Sequence, residues 1–351
     1  MSWVQELARP DIVALKPYQH AAWEPSLERL HANELPWRPA NDDSRAGLNR
    51  YPEPQPQALI ECLAELYAVA PGFVLVGRGS DEAIDLLTRA FCAAGRDAVL
   101  VCPPTFGMYS VSARIQGAEV VQAPLIAADG FALDESALLE RCTPAVKLVF
   151  LCSPNNPTGN LLEEAAILRV ARKLAGRALV VVDEEYLEFA GRPSLARHAP
   201  ELPNLAILRT LSKAYGLAGA RCGALVADPE IIALLRKIIP PYAIPQLTLE
   251  AVLDRLTPEA RAQSRAGLEV LLAERERLLQ ALPQLPQVTR VWPSAANFVL
   301  AEFEDTGAAL VRAREARLLV RDARGYPGLG RALRITVGTP EQNGRLLESW
   351  S

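Results

Sequence analysis

The chain has 351 residues, half of them hydrophobic, with 37 basic and 41 acidic side chains and a formal net charge of −4. That is apolar material enough for a large domain and a smaller one, each with its own core. No basic stripe or tail accompanies the charge, which excludes DNA and RNA as partners. The opening MSWVQELARPDIVALKPY sets Glu6, Arg9 and Asp11 where a secretion signal needs an apolar stretch. No segment reaches the about 18 uncharged apolar residues of a membrane span. The expected location is therefore the cytoplasm, with no membrane partner.

Residues 1–40 are rich in proline and aromatics with weak periodicity, and read as an N-terminal arm that packs on something else. Residues 41–240 read as a large domain. Short apolar runs at 73–76, 98–102, 119–122, 147–151, 178–183, 205–208 and 223–227 alternate there with helix-like stretches such as 80–94 and 163–175. That alternation predicts an α/β fold built on a mostly parallel sheet. IIPPYAIPQ then breaks the pattern. Residues 241–351 read as a smaller α/β domain, with a long charged amphipathic stretch from about 258 and apolar runs at 296–300, 317–321 and 333–337.

Six cysteines lie singly, without a C-x-x-C pair, and read as reduced core thiols. His20, His31 and His198 are far apart in sequence, so neither a zinc site nor a serine–histidine triad has parts, and no metal is expected. Any lysine chemistry must use Lys16, Lys147, Lys173, Lys213 or Lys237.

In open parallel sheets ligands bind beyond the carboxyl ends of the strands, and four strand-to-helix junctions carry unusual polar residues. In VGRGSDEAIDLL, two glycines precede Ser80 and Asp81 at a helix start, where free N–H groups and the dipole suit an anion. A simple N-cap would also explain it. Glu82 stands where a dinucleotide fingerprint needs glycine, and no Walker sequence occurs. LCSPNNPTGN presents Asn156 from a proline-stiffened turn. ALVVVDEEYLEF ends an apolar strand on Asp183, which is costly unless it meets a cation, a donor or water, and places Tyr186 just beyond. RTLSKAYGLAGARCG sets Lys213 among Thr210, Ser212 and Arg221, suited to a Schiff-base nucleophile or to an ordinary surface loop. Together the four hold the parts that pyridoxal phosphate requires.

These segments, with NRYPEPQP, CPPTFGMYSV, PSAANFVL and LRITVG, resemble the fold-type I aminotransferases over nearly the whole chain, and among them the histidinol-phosphate aminotransferase family. The resemblance implies pyridoxal 5′-phosphate as cofactor, carried on Lys213. Asp183 would face the pyridine nitrogen, Asn156 and Tyr186 the phenolic oxygen, and Tyr109 would stack on the ring. Ser80, Asp81, Thr210, Ser212 and Arg221 would hold the phosphate, with Tyr51 reaching in from a second subunit of a homodimer. Arg321 and Arg334 would receive substrate anions, and Tyr18 and Asn33 of the arm would close the site.

The implied reaction passes the amino group of histidinol phosphate to 2-oxoglutarate, giving imidazole-acetol phosphate and glutamate in two half-reactions. An aromatic aminotransferase or a phosphothreonine decarboxylase would share the cofactor machinery. A non-catalytic pyridoxal-phosphate-sensing regulator would need a DNA-binding extension for which the chain has no spare domain. Two departures from the family pattern stand out: HANELPW where NANENPW is common, and DEEY where DEAY is usual.

Overall fold

The computed structural model describes residues 2–24 and 26–351. The apolar runs of the first two thirds pair into one seven-stranded sheet. Its strands are β1 (Val74–Gly77), β2 (Ala98–Val101), β3 (Glu119–Gln122), β4 (Val146–Cys152), β5 (Leu179–Asp183), β6 (Leu205–Thr210) and β7 (Gly223–Val226). The spatial order is β1-β7-β6-β5-β4-β2-β3. Strands β2 to β6 pair in parallel, whereas β7 runs antiparallel to both β1 and β6.

Helices on both faces explain why the runs are apolar throughout rather than alternating. Along β5, Val180 and Val182 enter one core with the helices Gln57–Tyr67 and Glu164–Lys173. Leu179 and Val181 enter the other, with the helices Ser80–Phe91, Met108–Gln116 and Pro229–Leu235. Five of the six cysteines are buried in this framework. Burial pushes the Cys92, Cys102 and Cys222 thiols up to about 12, so they stay protonated and unreactive.

The C-terminal part forms a separate antiparallel sheet of β8 (Val288–Val291), β9 (Phe298–Phe303), β10 (Arg321–Asp322) and β11 (Ala332–Thr336), in the order β10-β11-β9-β8. The long charged stretch is one helix, Pro258–Ala281, capped by the Thr257 side chain. It packs with the helices Thr306–Glu315 and Pro340–Ser349 around Leu278, Phe303, Leu333, Ile335 and Trp350.

Two strands here depart from the apolar runs of the sequence. The run 317–321 contributes only Arg321 to a strand, because Arg317 takes a left-handed φ of 58° that breaks the extended chain. Strand β8 has no apolar run to announce it, since Thr289 and Arg290 are exposed.

Trp350 is fully buried, lies edge-on to Phe303 with centroids 4.9 Å apart, and donates its Nε1–H to the Ala309 carbonyl at 2.9 Å. Trp350→Ala would remove the largest side chain of this core together with its hydrogen bond to the Ala309 carbonyl. It should cost about 3–5 kcal/mol, read as a lowered urea midpoint by circular dichroism.

Candidate functional site

The carboxyl ends of β1, β4, β5 and β6 share one edge of the large sheet, where Cys152 pairs with Asp183 and Gly223 pairs with both Gly77 and Thr210. Side chains from all four junctions meet there in a cleft of about 310 Å³, whose far wall is Arg321 and Arg334 from the small sheet and Tyr326 from the loop between β10 and β11.

One end of the cleft is built for an anion. Gly79, at φ 90° and ψ 177°, turns the chain into the helix Ser80–Phe91 and leaves its first N–H groups free. A side chain at Gly79 would also come within 3.1 Å of the Arg221 guanidinium. Ser80 is thus the first helical residue, and Gly79 holds the capping position. The hydroxyls of Thr210 and Ser212 lie 3.0 Å apart, and Arg221, itself left-handed at φ 51°, donates to Ser212 Oγ at 3.4 Å. Arg221 also pairs loosely with Asp81 at 3.5 Å.

Asp183 lies at the middle, buried at 1% exposure. Its Oδ2 accepts from the Tyr109 hydroxyl at 2.7 Å and its Oδ1 from the Glu185 N–H at 3.1 Å. Burial, then the Glu185 carboxylate, pushes its carboxyl up to about 7 against the pull of the Tyr109 hydrogen bond. Asn156 donates to the Tyr186 hydroxyl at 3.2 Å and accepts from Arg334 Nη1 at 2.5 Å. Burial drives the Tyr186 hydroxyl far up, with Glu185 adding to it, so it stays a proton donor. Lys213 Nζ lies 3.4 Å from Glu185 Oε1 and 5.6 Å from the centre of the Tyr186 ring. The Nε of Arg334 is buried without a partner.

The turn after β5 is anchored from behind. Glu184 accepts from Arg209 at 2.8 Å, from Ser194 at 2.5 Å and from the Leu195 N–H at 2.7 Å. Arg209 also pairs with Glu188 and lies over the Tyr67 ring at 4.9 Å.

Ser80, Asp81, Asn156, Tyr186, Thr210, Ser212, Lys213, Arg221, Arg321 and Arg334 all line the cleft, and Asp183 lies just beneath it. Tyr109 is a correction. Its ring is fully buried, stacked on Phe150 at 4.8 Å, and it reaches Asp183 from below; Phe106, edge-on to it at 5.6 Å, is the aromatic that faces the cleft. Phe106, Glu185 and Tyr326 were not among the expected site residues. Phe106, just before the helix Met108–Gln116 that carries Tyr109, had no signal to set it apart from that tyrosine, whereas Glu185 had one in the DEEY spelling. Tyr326 had none.

Within one chain Tyr18, Asn33 and Tyr51 do not line the cleft. Tyr18 is 69% exposed, Asn33 is left-handed at φ 57°, and Tyr51, half exposed, stacks on Tyr242 at 4.6 Å. The organiser of the arm is Glu34, whose carboxylate takes Arg29 at 2.8 Å, Arg50 at 3.0 Å and the Tyr51 N–H at 2.6 Å.

The family model for aminotransferase class I and II matches residues 29–349, and the chain belongs to that family. It is 49% identical to a histidinol-phosphate aminotransferase of Stenotrophomonas maltophilia, over 99% of this chain and 96% of the relative. Its fold is that of the histidinol-phosphate aminotransferase of Sinorhizobium meliloti in complex with pyridoxal-5′-phosphate, with a TM-score of 0.77, 24% identity and coverage of 85% and 81% of the two chains. The L-threonine-O-3-phosphate decarboxylase of Porphyromonas gingivalis is similar too, with a TM-score of 0.73, 27% identity and coverage of 86% and 92%.

Asp183 ties the cleft to stability. A carboxyl whose folded value lies above its unfolded one stabilises the fold below the unfolded value, and that contribution is lost as pH rises through the folded value. For the cofactor-free protein the window runs from the ordinary 3.8 to about 7. Asp183→Asn should remove that part of the pH dependence, worth on the order of a few kcal/mol. Urea midpoints at pH 5 and pH 8 should then converge relative to the unsubstituted protein.

Proposed function

We propose that this chain transfers the amino group of histidinol phosphate to 2-oxoglutarate, with pyridoxal phosphate carried on Lys213. The observation that carries the substrate reading is the pairing of Arg321 with Arg334 directly across β10 and β11. Like charges placed opposite each other on adjacent strands repel, and the cost is offset when an anion lies between them. Arginine's planar fork suits both phosphate and carboxylate, as an enzyme that takes a phosphorylated amine and a dicarboxylic oxo acid in turn requires. The relative from Stenotrophomonas maltophilia supports the same reading.

The residues present fit the cofactor. The helix start at Ser80 and Asp81, the Thr210 and Ser212 hydroxyls and Arg221 would hold its phosphate. Asp183, buried and lacking a cation, would take the protonated ring nitrogen, which would draw the carboxyl back down. Asn156 and Tyr186 would hold the phenolic oxygen, and Phe106 would cover the ring. When bound, pyridoxal phosphate supplies an aldehyde that exchanges amines and a ring that withdraws electrons from the substrate's α-carbon. Lys213, freed by the incoming amine, would act as base and acid at that carbon. Tyr109 would keep Asp183 in place, and Asn156 would link the cofactor side of the cleft to Arg334.

The reading includes a homodimer in the cytoplasm. Tyr51 would then reach the phosphate end of the partner subunit's cleft, and Tyr18 and Asn33 would close the site. The exposed apolar surface of the arm, with Leu30 at 95% and Trp37 at 76% exposure, supports a covered position in an assembly. A second reading, a phosphothreonine decarboxylase, has the structural likeness to the Porphyromonas gingivalis enzyme in its favour.

The test is the absorbance of the loaded protein on adding histidinol phosphate alone. The cofactor band should disappear and return with 2-oxoglutarate. A band that ignores histidinol phosphate and responds to phenylalanine or phosphothreonine would overturn the substrate. Lys213→Ala should abolish turnover. Arg334→Ala should raise KM for both substrates by about ten- to a hundredfold, the value of one or two hydrogen bonds to a charged group.

A further inference from the structure

The turn after β5 places a third carboxylate in the cleft, that of Glu185, where the resemblance leads one to expect alanine. Its side chain is 12% exposed and its Oε1 lies 3.4 Å from Lys213 Nζ, the only cation paired with it among the described residues. The other charged or titratable groups facing this place are engaged or set apart. Asp183 and Tyr186 flank Glu185 on its own turn. Arg221 is taken by Ser212 and Asp81, and Arg334 by Asn156, while Arg321 stands on the small sheet. A carboxylate so far withdrawn from water is costly unless a cation answers it. Glu185 donates its backbone N–H to Asp183, and among the described residues its carboxylate has no ion-pair partner besides Lys213.

We propose that Glu185 is a positioning residue whose carboxylate favours the protonated form of the Lys213 nitrogen once that nitrogen is joined to the cofactor. This rests on Lys213 being the attachment residue. Joining the neutral Nζ to the cofactor's aldehyde would release one water, made of the aldehyde oxygen and both amine hydrogens, and the imine nitrogen would then take up one proton from solvent. The carboxylate beside it favours that proton. The arrangement keeps the attached form protonated, which is the form an incoming amine attacks.

The experiment uses the loaded protein without substrate and follows the absorbance change of the cofactor with pH in the unsubstituted chain, Glu185→Gln and Glu185→Ala. Glutamine keeps the shape and removes the charge. An opposite charge at this distance shifts a titration by on the order of 1 pH unit, so the midpoint should fall by about that much in both variants. A pH-sensitive band with an unchanged midpoint in both variants would overturn the role of Glu185 while leaving Lys213 in place. A band that survives in Lys213→Ala would overturn the attachment and this inference with it.

Discussion

Strand β7 runs against both of its neighbours, and its register with them sets the geometry of the cleft. In a parallel sheet each strand delivers its carboxyl end to the binding edge, and the chain must travel round through a helix before returning. Because β7 is reversed, its first residue, Gly223, lies at that edge opposite Gly77 and Thr210. The segment from Thr210 to Gly223 therefore leaves the edge and comes straight back to it, and Lys213 and Arg221 both end up in the cleft. Glycine is required at the return point. A Cβ on Gly223 would lie 2.7 Å from the Arg209 carbonyl and 2.9 Å from the Gly79 Cα. Any side chain there would pry the lysine loop away from the helix start that faces it.

Around this edge the charges fall into an order. Arg221 holds one end, Arg321 and Arg334 the other, and the acids Asp183 and Glu185 lie between them with Lys213. A ligand that is anionic at both ends and cationic in the middle complements that sequence of charges. The Nε of Arg334 is buried without a partner, and burial, then Glu185, raises the carboxyl of Asp183. Desolvation makes each uncompensated group expensive, and for the same reason makes each eventual contact strong.

The sheet was legible in the sequence because helices cover both its faces, so all its strands except the edge strand β3 appear as mostly apolar, buried runs. Strand β8 escaped because only its ends face a core, and the run at 317–321 misled because it opens on a left-handed residue and leaves Leu319 exposed, so only its last residue joins a strand. The cleft residues at the strand ends stood out as polar groups where apolar ones were due. The exchange of Tyr109 for Phe106 had no such mark. Both aromatics sit in one short segment, and the one that turns inward is decided by Phe150 on a distant strand, with which Tyr109 stacks. Glu185 was visible as a departure in spelling, but its nearness to Lys213 depends on two loops that meet only in the folded chain.

The turn after β5 works on two sides. Glu184 and Glu188 face inward to Arg209, with Ser194 and the Leu195 N–H completing the hold, while Glu185 and Tyr186 face the cleft. The residues that fix the backbone are thus different from those that touch chemistry. A lineage can exchange the residue at position 185 without loosening the frame that carries it, so this position is one where new reactivity can be tried at little risk to the fold.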